Sequence, residues 1–475
     1  GRWERISGVL GLESVPSEAT TLFNITETQQ LALMELTADL DNLEVRSRTE
    51  RFYPAGVAAH LIGYVGLADE GDVIRGRPKG SEAGRAGLEA ALDDTLWGAA
   101  GELLLEVDAR GHAVGARELR SPVPGEDLLL TIDSDLQRAC EQALAGLRGA
   151  CVALDPRNGA VLALASAPTF DPNLFTRQPV APQVVGYLTD PAQPLLNRAV
   201  QSFDSGSVFK PVTALAALDT GTITTRSQFM APTAFRIGNR LFHNWATENM
   251  GPFNLEQAIA WSANTWFYQV SIPLGGRPII EWAQQLGLGE RTGLGLEEER
   301  RGRLPDPDEV ATWRAGDVAN LAIGQGPMLA TPIQIANMLA TIVNDGTMYR
   351  PHLVRQVGDS PVPTEVVRTL RAQPEFFQAL RNGMRRAVTE GTARRLKRFS
   401  EQVATVAGKT GTAQTVGGDS HAWFMSFAPF ERPEIVVVAF VQNGGQGSEV
   451  ALPVARQVLS QYFLGDPNAW QNLRR

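Results

Sequence analysis

Residues 204–211 read Asp204-Ser205-Gly206-Ser207-Val208-Phe209-Lys210-Pro211, and an apolar pattern continues through Val212, Leu215, Ala216 and Leu218 until Asp219-Thr220-Gly221. The spacing predicts a helix that starts near Ser207 and is closed by Gly221. Residues three apart on a helix are neighbours, so Ser207 and Lys210 share a face and the ammonium can reach the hydroxyl. Pro211 fits this start, because the bond its missing N–H forfeits would have gone to the Ser207 carbonyl, where a first-turn disruption is tolerated. The field of the helix N-terminus favours negative charge developing on a hydroxyl there. A serine needs an adjacent base at pH 7, and Lys210 can serve if burial and a second cation depress its pKa. The pair alone is a weak signal. With 20 serines and four lysines, chance supplies roughly 0.2 Ser-x-x-Lys matches per chain of this composition.

Two further stretches carry chemistry. Ser262-Ala263-Asn264 lies between the apolar patterns Leu255, Ile259, Ala260 and Trp266, Phe267, Val270, which places a small polar turn between two buried helices. Taken alone, it reads as a cap and link between helices. Lys409-Thr410-Gly411-Thr412 falls on a strand that continues Val403-Ala404-Thr405-Val406. Alternation puts the Thr410 and Thr412 side chains on one side, and Gly411 leaves room for a substrate backbone. A carboxylate fits there, and Lys409 is the second cation that helps keep Lys210 neutral.

Lysine is scarce throughout the chain. Only Lys79, Lys210, Lys397 and Lys409 are lysines, against 39 arginines. A position that keeps lysine against that bias can use a compact ammonium able to lose its proton, which arginine does not offer.

The 475 residues are enough for two to four domains, and 43% hydrophobic with 20% charged residues describes a folded soluble chain, excluding disorder, collagen and coiled coil. A formal charge of −9 argues against a phosphate-neutralising surface, so no nucleic-acid partner is expected. The basic stretch Arg381, Arg385, Arg386, Arg394, Arg395, Lys397 and Arg398 reads as a solvated helix face. Cys140 and Cys151 lack metal or redox spacing and are expected as buried free thiols, with a single disulfide the alternative. The five histidines show no ligand spacing, so no metal is expected. No apolar run approaches the length needed to span a bilayer; the longest, Ile435 to Val441, reads as a buried strand. Because the sequence starts at Gly1, a signal or anchor preceding it remains an expectation.

The turn-rich Ser121-Pro122-Val123-Pro124-Gly125 divides the chain into residues 1–125 and 126–475. The first region shows a helical pattern over Glu27 to Leu40, a Gly-rich connector over Gly76 to Gly84, and alternating strands at Leu103 to Val107 and Ala113 to Leu119. The second opens with a strand at Leu128 to Ile132 and a helix from the Asp133 cap to Leu147. A hairpin of Cys151 to Leu154 with Ala160 to Ala165 follows, then long helical patterns over residues 207 to 345. Strands return at Val403 to Thr412, Ala422 to Phe427 and Ile435 to Val441, before a last helix at Ala451 to Tyr462. Strands at both ends enclosing a helical middle predict a sheet assembled from distant segments with helices packed on it, an α+β or α/β enzyme domain.

Ser-x-x-Lys, Ser-x-Asn and Lys-Thr-Gly in this order resemble the signature of the penicillin-recognising serine transpeptidases and β-lactamases. The surroundings, Gly206-Ser207-Val208-Phe209-Lys210-Pro211, Ala322-Ile323-Gly324-Gln325-Gly326, Ala330-Thr331-Pro332 and His421-Ala422-Trp423-Phe424, are similar to a class B penicillin-binding protein of the elongation type, penicillin-binding protein two. In the first region, Arg51-Phe52-Tyr53-Pro54, His60 to Gly66 and Gly87-Leu88-Glu89 resemble that family's non-catalytic, dimerisation-type pedestal. The resemblance implies an α+β transpeptidase domain, an antiparallel sheet with helices on both sides, at 126–475, and a mixed pedestal domain, truncated at its start, at 1–125. Two family features, a transmembrane anchor and an Arg-Gly-x-Ile-x-Asp-Arg box, are not in the sequence, and Asp204-Ser205 stands where Glu-Pro or Pro-Pro is common.

By the same resemblance Ser207 attacks the carbonyl between the terminal D-alanines of a peptidoglycan stem peptide, Lys210 takes its proton, and Ser262 relays a proton to the leaving D-alanine. Asn264 holds the acyl-side amide, while Lys409, Thr410, Gly411 and Thr412 form the carboxylate-binding strand. The backbone N–H groups of Ser207 and Thr412 are the implied oxyanion hole. The implied protein is acylated by β-lactam antibiotics, needs no cofactor, and sits on the extracytoplasmic face of the bacterial cytoplasmic membrane beside a glycan polymerase. A β-lactamase is disfavoured by the missing Glu-x-x-Leu-Asn deacylation motif. A D,D-carboxypeptidase shares the first half-reaction and stays open, as does a non-catalytic β-lactam sensor or scaffold.

Overall fold

The computed structural model describes residues 50–473 apart from positions 79, 108, 110–112, 178–179, 311 and 416–417. The helix expected over 27–40 lies outside the described residues.

Five strands build the central sheet: β1 (Gly149–Leu154), β2 (Val161–Ala167), β3 (Ala407–Thr415), β4 (Gly418–Ala428) and β5 (Ile435–Val441). Their order is β3-β4-β5-β1-β2 with every neighbouring pair antiparallel. The sheet therefore joins the two ends of the second region, as the strand pattern predicted. Strand side chains alternate between faces, and β5 shows why its sequence carries no polar residue. Val436, Val438 and Phe440 enter one core while Ile435, Val437, Ala439 and Val441 enter another.

Seven helices matter for the site: α1 (Ser134–Ala143), α2 (Lys210–Asp219), α3 (Leu255–Ala260), α4 (Asn264–Leu274), α5 (Pro332–Val343), α6 (Pro374–Thr389) and α7 (Ala451–Leu464). Leu136 and Cys140 of α1 and Val454 and Val458 of α7 cover one face of the sheet. Leu215 of α2, Phe267 of α4 and Ile335 of α5 belong to the core on the other. The helix starts follow local chemistry. Asp133 accepts the N–H groups of Asp135 and Leu136, and reciprocal capping boxes join Asn254 to Gln257 and Thr331 to Gln334.

The structure refines several expectations. The helical middle is interrupted by two antiparallel pairs, Ala234–Ile237 with Arg240–His243 and Phe229–Met230 with Pro252–Phe253. The first is a hairpin turned by Gly238-Asn239, with Gly238 at φ +57°, a two-residue turn between alternating runs that period-3.6 reading overlooks. Strand β3 begins at Ala407, because Lys397–Gln402 forms a helix before it. The basic stretch is paired rather than merely solvated: Arg381 meets Asp345, Arg386 meets Glu256 and Glu390, and Arg395 meets Glu449. Cys140 and Cys151 are buried free thiols, and burial pushes the Cys140 thiol well above the usual range.

The first region contributes two small sheets, Tyr64–Leu67 with Glu82–Ala86 and Glu102–Val107 with Ala113–Arg120. It is tied to the second by a reciprocal pair of bonds between the Tyr53 backbone and the Asn173 amide. The Ala58 N–H donates to Glu141 at 2.7 Å, and His60 Nε2 lies 2.6 Å from the Pro194 carbonyl oxygen. No helix among the described residues is long and apolar enough to cross a membrane.

Candidate active site

The segment carrying Ser207 is not the continuous helix that the sequence pattern suggests. Gly206–Phe209 forms a 3-10 turn and α2 begins only at Lys210. Pro211 explains the change: without its N–H, the Ser207 carbonyl takes the Lys210 N–H instead, an i to i+3 bond. Gly206 holds φ +54°, and its N–H donates to the Gly324 carbonyl at 2.9 Å. Gly324 can be nothing larger, since a Cβ there would lie 2.2 Å from the Gly206 oxygen. Asp204 and Ser205 fit without proline: the Trp423 indole donates to the Asp204 carbonyl at 2.9 Å, and Ser205 is fully buried against Gly324 and Met328.

This turn packs on the middle of edge strand β3. A Cβ on Gly206 would lie 2.8 Å from the Thr412 carbonyl oxygen, and one on Gly411 would lie 3.0 Å from Val208 Cγ1. The backbones at Ser207 and at Thr412 are thus brought together. Ser207 is half-buried, and its hydroxyl makes no hydrogen bond among the described residues. The structure therefore does not join it directly to Lys210.

Lys210 is instead bonded to the second motif. Its Nζ donates to the Ser262 carbonyl at 2.7 Å, to Ser262 Oγ at 3.0 Å and to Asn264 Oδ1 at 2.7 Å. Lys409 Nζ also donates to Ser262 Oγ, at 2.8 Å, and to the Thr410 carbonyl at 2.8 Å. Both lysine side chains are fully buried. Burial first, and the Lys409 charge second, hold Lys210 well below the ordinary lysine range. Burial lowers Lys409 to about 7. A site with two buried amines and one shared hydroxyl can release and accept protons near neutral pH.

Ser262 sits at φ +53°, a left-handed conformation costly for a residue with a Cβ. Contacts that sequence reasoning missed hold it there. The Asn264 N–H donates to Asn244 Oδ1 at 3.0 Å, and the Trp245 indole donates to the Trp261 carbonyl at 2.8 Å. Asn244 and Trp245 follow the overlooked hairpin, whose Gly238-Asn239 turn was the available signal. Thr392 was missed as well; its hydroxyl lies 2.8 Å from Thr410 Oγ1. His421, opposite Ala413 in the sheet, is buried between Phe203 and Phe440 and accepts the Asn443 N–H, a packing role. The described residues contain no cluster suited to a metal ion.

Residues 149–460 match the penicillin binding protein transpeptidase domain, and residues 12–130 match the penicillin-binding protein dimerisation domain. The chain belongs to the penicillin-binding protein transpeptidase family. Peptidoglycan D,D-transpeptidase MrdA of Escherichia coli K12 is 32% identical over 482 residues, which cover 94% of this chain and 76% of the relative. Pseudomonas aeruginosa penicillin-binding protein 2, solved with WCK 5153, is 34% identical with a TM-score of 0.78, covering 89% of this chain and 92% of its own. A chain of a peptidoglycan synthase complex, solved to show how polymerization and crosslinking are coordinated, is 41% identical with a TM-score of 0.82 and covers 97% of this chain and 85% of its own. The penicillin-binding protein two resemblance read from the motifs thus holds across nearly the whole chain.

Proposed function

We propose that this chain is a serine D,D-transpeptidase that crosslinks peptidoglycan stem peptides during cell elongation. The observation that carries the reading is the Ser262 hydroxyl shared by two fully buried lysines, one of them three residues after Ser207 in the same turn.

Ser207 attacks the carbonyl between the terminal D-alanines, and neutral Lys210 receives its proton. The new C–O bond forms while negative charge gathers on the carbonyl oxygen, which the N–H groups of Ser207 and Thr412 stabilise. Collapse breaks the C–N bond. The leaving D-alanine takes a proton through Ser262, which Lys210 and Lys409 both touch. Asn264 orients the acyl-side amide, and Lys409, Thr410 and Thr412 receive the terminal carboxylate, with Gly411 allowing the backbone approach. The amine of a second stem peptide then attacks the acyl-enzyme, forming the crosslink and returning the serine proton. β-Lactams enter the same first step and leave a stalled acyl-enzyme.

Residues 1–125 act as the non-catalytic pedestal and 126–475 as the transpeptidase domain. The substrate places the work on the extracytoplasmic face of the cytoplasmic membrane, with the whole protein membrane-anchored and partnered by a glycan polymerase. The related chain in a synthase complex supports that partnership.

Intact mass after incubation with benzylpenicillin, followed for hours and repeated with Ser207→Ala, tests the reading. A persistent one-to-one adduct that the variant lacks is expected. An adduct that disappears within minutes as drug is consumed indicates a β-lactamase, and one that survives Ser207→Ala moves the nucleophile elsewhere.

A further inference from the structure

Thr392 belongs to none of the three motifs, yet it touches one of them and the helix that leads into another. It follows Gly391, just past α6. Its N–H donates to the Ala260 carbonyl at 3.1 Å, and its hydroxyl oxygen lies 2.8 Å from Thr410 Oγ1 and 3.4 Å from the same carbonyl. Ala260 is the last residue of α3, two positions before Ser262. Gly391 permits this approach, since a Cβ there would lie 2.2 Å from the Ala260 oxygen.

Each hydroxyl has one proton to give, so the two threonines have two arrangements. Thr410 can donate to Thr392, which donates onward to Ala260, or Thr392 can donate to Thr410 and leave the Thr410 proton free. A carboxylate only accepts hydrogen bonds, so only the second arrangement lets Thr410 bind one. Moving to it gives up the 3.4 Å contact, which is long for a hydroxyl bond. The Ala260 carbonyl keeps the Thr392 N–H, so no acceptor is left without a partner.

We propose that Thr392 is a positioning residue that presents the Thr410 hydroxyl as a donor to the terminal carboxylate of the acyl donor, and so selects for substrates that carry that charge. The inference rests on the carboxylate role proposed above for Thr410.

The test compares acylation by benzylpenicillin and by its methyl ester, measured by intact mass in wild type, Thr392→Val, Thr392→Ser and Thr410→Val. Thr392→Val is expected to slow acylation by the acid about tenfold and by the ester less than about twofold, because the bond at stake ends on a charge. The loss should appear in the concentration giving half-maximal rate, and Thr392→Ser should restore it. The acid-to-ester ratio is internal to each sample, so a partly unfolded variant still reports. Equal losses for acid and ester in Thr392→Val, with Thr410→Val discriminating between them, overturn the inference alone. Equal losses in Thr410→Val remove the carboxylate role of Thr410 and the inference with it.

Discussion

Lys210 and Lys409 converge on one oxygen: their ammonium nitrogens lie 3.0 and 2.8 Å from Ser262 Oγ. Two cations in a dry site disfavour each other's protonation. The burden falls on Lys210, lowered by burial and then by Lys409. In the proposed mechanism, a Lys210 that gives up one of its three donor protons turns the freed lone pair to Ser207.

The first prediction concerns the pH dependence of acylation. The rate should climb as Lys210 loses its proton, giving an acidic limb. Lys409→Gln removes the second cause of the lowering and leaves burial in place, so the limb should move to higher pH. Lys409→Arg keeps the charge and should leave the limb near its wild-type position even if the plateau falls. Benzylpenicillin acylation rates from pH 5 to 9 check this; an unmoved limb in Lys409→Gln would mean that the lysines do not couple.

A second prediction concerns stability. A base whose pKa is lowered on folding binds fewer protons folded than unfolded between its two pKa values, so stability rises with pH across that interval. For Lys409 the interval runs from about 7 to the ordinary 10.5. Wild type should therefore gain up to about 1.4 kcal/mol per pH unit relative to Lys409→Met. Urea denaturation at pH 7.5, 8.5 and 9.5 measures it. Parallel profiles for the two proteins would show that Lys409 is charged in the folded state throughout.

The backbone at Ser262 separates chemistry from strain. Ser262→Gly and Ser262→Ala both remove the hydroxyl, yet only glycine accepts φ +53° without a Cβ penalty. Both variants should lose acylation by at least about tenfold, with the glycine form more stable than the alanine form by about 1 kcal/mol. Thermal melts and acylation rates on the pair decide it. Alanine matching glycine in stability would show the turn to be relaxed.

Much of this arrangement was legible in the sequence. The uninterrupted apolar run of β5 announced a buried strand, and the order of three short motifs pointed to the candidate site. What escaped reading was local geometry set by tertiary partners. Nothing in Ser262-Ala263-Asn264 reveals a left-handed serine, because its conformation is fixed by Asn244, Trp245 and Lys210 from distant segments. The 3-10 turn at Ser207 was closer to legible, since Pro211 withholds the N–H that an α-helix would use. Thr392 was illegible because its significance depends on Gly391 docking against α3.

The last prediction tests whether Asn244 and Trp245 act as one clamp. Their bonds reach residues 264 and 261, the two sides of the Ser262 turn. Trp245 is 54% exposed, so removing its indole N–H by Trp245→Phe should barely change the melting temperature. Asn244→Leu keeps the branched side-chain shape and removes the acceptor for Asn264. Each should slow acylation by about threefold to tenfold, the worth of one hydrogen bond. Because both hold the same turn, the double variant should fall short of the sum by at least about 0.5 kcal/mol. Strict additivity in that cycle would separate the two residues, leaving each with a local contact and the strained serine to be held from below by Lys210 alone.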